Sequence, residues 1–278
     1  MGAISIWVIS LLIVLQIVSQ LLVNLQWRNV ALAADVQVSF REMFFINCQG
    51  AIADAITPGV KIGGEITRGV QISRRCGCSA EQATAIVAAQ KMFSISSFVF
   101  LLLITGTYMA VNLQMLTGRY VQIAGTAIAA LALLIIFGVF FMPKRVKKHM
   151  QIKNSLPFLM LSLIIWLIYP VKLYILAAQF SPDINIIYIA GITFISYIIG
   201  MIPIFPGGIG GFEGTMSGLL IATGFSVSDA VTAAISFRFI TFWLVVIFSF
   251  GFVSLDVICK RGVWLWSKIR LSNVFRIF

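Results

Sequence analysis

"PIFPGGIGGFEG", Pro203–Gly214, sets five glycines, two prolines and one glutamate inside an otherwise apolar region. A continuous buried helix has no use for that composition. Glycine opens backbone conformations closed to other residues, and proline removes an amide donor. The stretch therefore predicts a broken helix, with backbone N–H groups left without helical partners and the carboxylate of Glu213 beside the break. Such backbone is tolerated at membrane depth only inside protein or beside a polar cavity. Where a half-helix restarts, its free N–H groups and dipole favour an anion.

The surroundings of the break are those of a membrane protein. The chain has 278 residues, 60% of them hydrophobic and only 10% charged, with a mean hydropathy of +1.03. Ile4–Val23, Ile95–Val111, Ile123–Met142 and Leu156–Phe180 are each long enough to cross a hydrocarbon core of about 30 Å. Gly and Pro separate these runs, without the even alternation of barrel strands, so the fold class is an all-α polytopic membrane protein. The first run has no basic residue before it and no small-residue cleavage site after it, and reads as a retained helix.

A net charge of +11 suggests nucleic acid until the basic residues are placed. Sixteen of the 20 Lys and Arg fall in Arg28–Arg41, Lys61–Arg75, Lys144–Lys153 and Lys260–Arg276, leaving Lys91, Arg119, Lys172 and Arg238. Basic clusters at helix ends mark the cytoplasmic side and anionic head groups, so the expected partners are membrane phospholipids and not nucleic acid. Cys48, Cys76, Cys78 and Cys259 fall near that same side, where a disulfide framework is not expected. No second cysteine pair follows Cys76-Gly77-Cys78 and His149 is the single histidine, so no metal is expected.

The break has an echo. Pro58-Gly59 is followed by Gly63-Gly64-Glu65, as Pro206-Gly207-Gly208 is followed by Gly210-Gly211 and Glu213. In both, the glutamate lies seven residues after the proline. "CSAEQATAIVAAQK" (Cys78–Lys91) then aligns with "FSVSDAVTAAISFR" (Phe225–Arg238), with Lys91 over Arg238. The offset is 148 residues at the Pro-Gly motif and 147 afterwards. An internal repeat is expected, with residues 1–112 as the first copy and 155–259 as the second. A connecting helix and basic cytoplasmic loop fill 113–154, and 260–278 form a basic tail.

Charge then orients the copies. The segment between Arg41 and Arg74-Arg75 enters and leaves by the cytoplasmic face, and that between Phe180 and Ser228 by the outer face. Five full crossings and two broken, re-entrant hairpins result, with the amino terminus outside and the carboxyl terminus in the cytoplasm of a cell membrane. Nine full crossings are the alternative. Inverted repeats of this kind occur in transporters whose site lies at the repeat interface.

Four charges fall within the membrane: Glu65, Lys91, Glu213 and Arg238. Each must pair or line a cavity. Salt bridges between the halves, Glu65 with Arg238 or Glu213 with Lys91, are one expectation; binding of an anionic substrate by the two basic residues is the other. The guanidinium of Arg238 offers a planar fork for phosphate, and Lys91 a point charge. Arg41 and Arg68 are candidates to collect a head group at the cytoplasmic mouth. Lys172, two residues after Pro170, either snorkels outward or faces the central cavity, with the second slightly favoured. Asp54 precedes the first break and is placed to cap or pair. Gln16, Gln20, Asn24 and Gln26 form a polar stripe on the first helix that glues helices together or lines a head-group track. There is no P-loop, nucleotide fingerprint or HExxH motif, and one histidine does not build a Ser-His-Asp site. No enzyme and no cofactor are expected.

"LQWRNVAL" (Leu25–Leu32), "TPGVKIGGE" (Thr57–Glu65), "AAQKMF" (Ala88–Phe93), "PIFPGGIGGFEG" and "FRFITFW" (Phe237–Trp243) together resemble the membrane domain of lysylphosphatidylglycerol synthases and their stand-alone flippase-like relatives. Lys91 stands where that family usually has arginine, and Gln26–Arg28 where it commonly reads Arg-Trp. The resemblance implies transfer of anionic or aminoacylated phospholipid between leaflets, or of a polyprenyl-linked lipid, with Glu65, Lys91, Glu213 and Arg238 as the site. The synthase activity is expected to be absent, because only a short basic tail follows Phe252. A soluble ion or metabolite transporter and an accessory protein of membrane glycosylation remain alternatives. Partnership with a homo-oligomer or a separate lipid-modifying or glycosylation enzyme stays open.

Overall fold

A computed structural model describes residues 4–57, 62–112, 155–181, 183–202, 208–256 and 258. All regular structure among these residues is helical. The elements are α1 (Ile6–Ala33), α2 (Phe40–Ile56), α3 (Ile62–Cys76), α4 (Ala80–Asn112), α5 (Leu156–Ala177), α6 (Ile186–Met201), α7 (Gly211–Ala222) and α8 (Val227–Arg238). From Arg238 the chain passes without interruption through a π-helical stretch, Phe239–Trp243, and remains helical to Asp256. The expected crossing Ile123–Met142, the loop Lys144–Lys153 and the tail from Lys260 lie outside the described residues. So do Pro58, Gly59, Pro206 and Gly207.

Among the described residues, four helices are long and apolar enough to cross a membrane: Ile6–Ala33, Ala80–Met109, Leu156–Ala177 and Val227–Asp256. Their outer faces are apolar, with Trp7, Leu11, Val14 and Val18 of α1 and Phe239, Trp243, Ile247 and Phe250 beyond α8 all exposed. The buried face of α1 is polar instead. Asn24 bonds Asn47 at 2.9 Å and the Phe40 carbonyl at 3.0 Å, while Gln26 bonds Ser162 and Gln90. This is the arrangement lipid demands, since apolar surface gains nothing by turning inward and polar groups find partners only inside. The stripe acts as glue at these positions.

Between the long helices lie two pairs of short ones, α2 with α3 and α6 with α7, each packed as a hairpin. Their lengths are 17, 15, 16 and 12 residues. At 1.5 Å per residue the last rises about 18 Å, well short of a hydrocarbon core. Side-chain caps fix several helix starts: Ser39 Oγ accepts from Glu42 N–H at 3.2 Å, Ser79 Oγ from Gln82 N–H at 3.1 Å and Ser226 Oγ from Asp229 N–H at 3.1 Å.

Two apolar cores form among the described residues. One joins the carboxyl half of α1 to α2, α3 and the start of α4, around Trp27, Met43, Ile72 and Phe93. The other joins the end of α4 to α5, α6, α7 and α8, around Phe98, Leu173, Phe194, Phe212 and Phe237. Helix α4 belongs to both, and α5 closes on it through the stacked rings of Phe93 and Phe158, 5.2 Å apart. Among the described helices the hairpin α2–α3 does not pack on the hairpin α6–α7.

Candidate functional site

Each hairpin carries a glutamate in the first turn of its second helix, and each glutamate pairs with the basic residue of the next helix. In the first half, Glu65 of α3 pairs with Lys91 of α4, whose Nζ donates to Glu65 Oε1. In the second, Glu213 of α7 holds Arg238 of α8, with Oε1 at 3.4 Å from Nε. The expected bridges between halves, Glu65 with Arg238 and Glu213 with Lys91, are therefore corrected: both pairs close locally. The reason lies in chain geometry. A hairpin and the helix after it bring the first turn of one beside the middle of the other, so the nearest counter-ion is always in the same half.

The second pair is the more elaborate. Arg238 lies between two aromatic faces, its Cζ 4.5 Å from the Phe212 ring centroid and 4.3 Å from that of Phe242. Phe212 is the residue before Glu213, and Phe242 lies one helical turn after Arg238, inside the π-helical stretch. There Leu244 N–H reaches back to the Phe239 carbonyl, five residues earlier. The extra residue in that turn is a local widening of the kind often found at functional positions.

Glu213 has a second task. Its Oε2 accepts from Gly210 N–H at 2.8 Å and so caps the start of α7. The turn before it needs glycine. Gly208 and Gly210 have φ of +69° and +84°, and a Cβ on Gly208 would run into the backbone carbonyl of Gly200. Gly211, beside them, begins α7 against Ile199.

The first half caps differently. Asp54 of α2 accepts from Gly64 N–H at 2.9 Å and from both terminal nitrogens of Arg68 at 3.3 Å. The Arg68 guanidinium lies 5.5 Å from the Trp27 ring centroid. Two glycines make room for this pair: a Cβ on Gly50 would meet Arg68, and one on Gly64 would meet the Asp54 carboxylate. Gly63 stands against Thr57.

The remaining sequence candidates scatter. Arg68 is largely buried against Asp54, whereas Arg41 is exposed and only 3.9 Å from Asp256 Oδ1. Lys172 neither snorkels nor opens to solvent. It is fully buried between α1 and α5, with Nζ bonded to Gln16 and Ser19. Sequence reasoning missed the aromatic clamp on Arg238, although the spacing of Arg238 and Phe242 by one turn was there to be read.

Residues 2–249 match the family described as the lysylphosphatidylglycerol synthase TM region. The chain belongs to that family. The match spans both hairpins and both charged pairs, and it agrees with the resemblance carried by the glycine-rich motifs. The chain is 25% identical to a UPF0104 membrane protein of Methanothermobacter thermautotrophicus, over 84% of this chain and 80% of the relative. It is 24% identical to a UPF0104 membrane protein of Pyrococcus horikoshii, over 85% and 83%. What the lysylphosphatidylglycerol synthase TM region contributes is a membrane domain associated with lipid chemistry, consistent with a transport role.

Proposed function

We propose that this protein is a lipid flippase or transporter that moves anionic or aminoacylated phospholipid, or a polyprenyl-phosphate lipid, between leaflets. Arg238 and Lys91 hold the phosphate from the two halves. The observation that carries this is the clamp on Arg238. A guanidinium inside a membrane span is braced by two rings and faces a carboxylate that also caps a half-helix. When phosphate takes the guanidinium, Glu213 keeps its bond to Gly210 N–H, so the exchange of one anion for another leaves α7 capped. The lone backbone donors at the start of a half-helix add to the attraction for an anion. Glu65 and Lys91 repeat the glutamate–base pair with a looser cation, while Asp54 takes the cap.

The architecture proposed around this exchange is an inverted repeat. The hairpin α2–α3 enters from the cytoplasm and α6–α7 from outside, with residues 1–112 and 155–259 as the two copies. The shortness of all four hairpin helices, the separation of one hairpin from the other and the matched glutamate–base pairs support it. Arg41 and Arg68, toward the cytoplasmic mouth, assist entry.

Thermal unfolding of the purified protein tests the binding step. A short-chain anionic glycerophospholipid is expected to raise the midpoint, a zwitterionic one to do so much less, and Arg238→Gln to remove the difference. Equal stabilisation by inorganic phosphate, with no preference among lipids, would favour a soluble-ion transporter instead.

A further inference from the structure

Lys172 poses a separate problem. It sits on α5 two residues after Pro170, inside a membrane span and with no exposed surface. Its Nζ donates to Gln16 Oε1 at 2.6 Å and to Ser19 Oγ at 2.7 Å, both on α1, and lies 4.6 Å from the Tyr169 ring centroid. Among the described residues no carboxylate pairs with it. An ammonium without a counter-ion at this depth is expensive. Helix glue does not require it, because Gln26 and Ser162 join the same two helices without charge.

The partners of Lys172 suit either protonation state. Ser19 gives its hydroxyl proton to the Leu15 carbonyl at 2.7 Å, so its oxygen accepts from the ammonium. Gln16 is almost fully buried; its Oε1 accepts from Nζ while its Nε2 has no hydrogen-bond partner among the described residues. A half-turn of that amide would offer Nε2 as a donor in place of Oε1, which is what the lone pair of an uncharged amine requires. That donor is costly to leave unused in the interior, and turning the amide would put it to use. A proton needs no added volume, whereas an anion would need room beside a fully enclosed side chain.

We propose that Lys172 is a proton-binding site, loaded and unloaded during the transport cycle, that couples proton movement to the lipid phosphate site at Arg238. The inference rests on the transport reading above. The step is the loss of one proton from the ammonium to water when the contact between α1 and α5 opens during the cycle, leaving the amine, and its reversal; no other bond changes. A chain of rings connects the two sites. Tyr169 lies under Nζ, meets Tyr197 at 5.4 Å, and Tyr197 meets Phe212, at 5.0 Å, beneath the Arg238 guanidinium. Among the described residues the groups around Lys172 are these. Helix α1 supplies neutral Gln16 and Ser19, and α4 brings Phe98 and Leu101 to this core. The titratable or charged neighbours are Tyr169 on its own helix, Tyr197 on α6 and, beyond the rings, Arg238 on α8.

The test is direct observation of the lysine. Protein with nitrogen-15 in its lysine side chains is placed in lipid nanodiscs, and Lys172→Met identifies the resonance. The Lys172 signal is expected to change protonation state within the pH range over which the protein stays folded, and Gln16→Leu to move that transition. In liposomes, a pH gradient is expected to drive lipid exchange by wild type, with the gradient's effect lost in Lys172→Met. A Lys172 signal that holds one protonation state throughout overturns the proposal, as does one that responds to added chloride at fixed pH and not to pH. If Lys172 titrates while wild type moves no lipid, proton binding is upheld and the flipping reading is the one that fails.

Discussion

Lys91–Glu65 and Arg238–Glu213 occupy matched positions and are built unlike each other. In the first pair the side chains are 31% and 23% exposed; in the second, 9% and 20%. Lys91 is a point charge on the unbroken helix α4. Arg238 is a planar group held between two rings, with a π-helical turn directly after it. Capping differs as well. The first hairpin divides the work between two carboxylates, Asp54 on the helix start and Glu65 on the base. The second gives both tasks to Glu213. A matched pattern of residue types thus yields one loose pair and one braced pair, and on the proposed lipid-binding reading the braced one is where selection among anions belongs.

The sharpest contrast is expected at the glycines. Gly208→Ala meets a backbone carbonyl at a positive φ, so nothing can rotate away; the cost should exceed about 3 kcal/mol and leave little folded protein. Gly63→Ala meets the Thr57 side chain, Cβ included, so Thr57 must shift; Gly63 does not share the positive φ of Gly208, and a smaller loss is expected. Expression and thermal unfolding of the two variants compare them directly, and equal losses would mean that the hairpins are equally constrained.

Next come the basic residues. Arg238→Ala leaves a half-buried carboxylate unpaired and empties the ring clamp, at a cost of about 3 kcal/mol, the lower end for a buried pair. Lys91→Ala breaks a more exposed pair, and about 1 kcal/mol is expected. Unfolding midpoints in the reverse order would break the comparison.

The capping carboxylates refine it. Asp54→Ala removes the cap on Gly64 and the partner of Arg68 together, a loss of about 2 kcal/mol. Glu213→Gln keeps an amide oxygen for Gly210 N–H and should cost about 1 kcal/mol, while losing the charge opposite Arg238. Chemical denaturation of both variants checks the ranking.

The smallest effect is expected at the end of the first hairpin. Burial, with Glu42 and Cys78 nearby, pushes the Cys76 thiol from 9.0 up to about 11. The folded state therefore favours the protonated thiol. Its contribution to stability is present below about pH 9 and is lost as the pH rises through about 11. Alkylation by a water-soluble maleimide should be slow at neutral pH and accelerate toward high pH; fast labelling at neutral pH would contradict the packing around Cys76.

Much of this fold was legible because membranes impose blunt constraints. Hydrophobic runs and their flanking charges located α1, α4, α5 and the long last helix. The two glutamates and two bases announced themselves as charges in apolar surroundings. What the residues did not disclose was which charge meets which. Partner choice depends on how a hairpin folds back on its own neighbour, and sequence spacing alone leaves the local and cross-half pairings equivalent. The clamp of Phe212 and Phe242 was hidden for a related reason, since aromatic residues are plentiful here and most of them are simply core. For Lys172 the residues left an outward snorkel and an inward position open, and its burial excludes the snorkel. The polar stripe on α1, read separately, held its partners.

Leaflet exchange of a reporter anionic phospholipid in liposomes tests the central claim most directly, with wild type, Arg238→Ala and Glu213→Gln compared after each is verified as folded. Rapid exchange by wild type, lost in both variants, is the expected result. No exchange by folded wild type, with or without a proton gradient, would contradict lipid movement at this site.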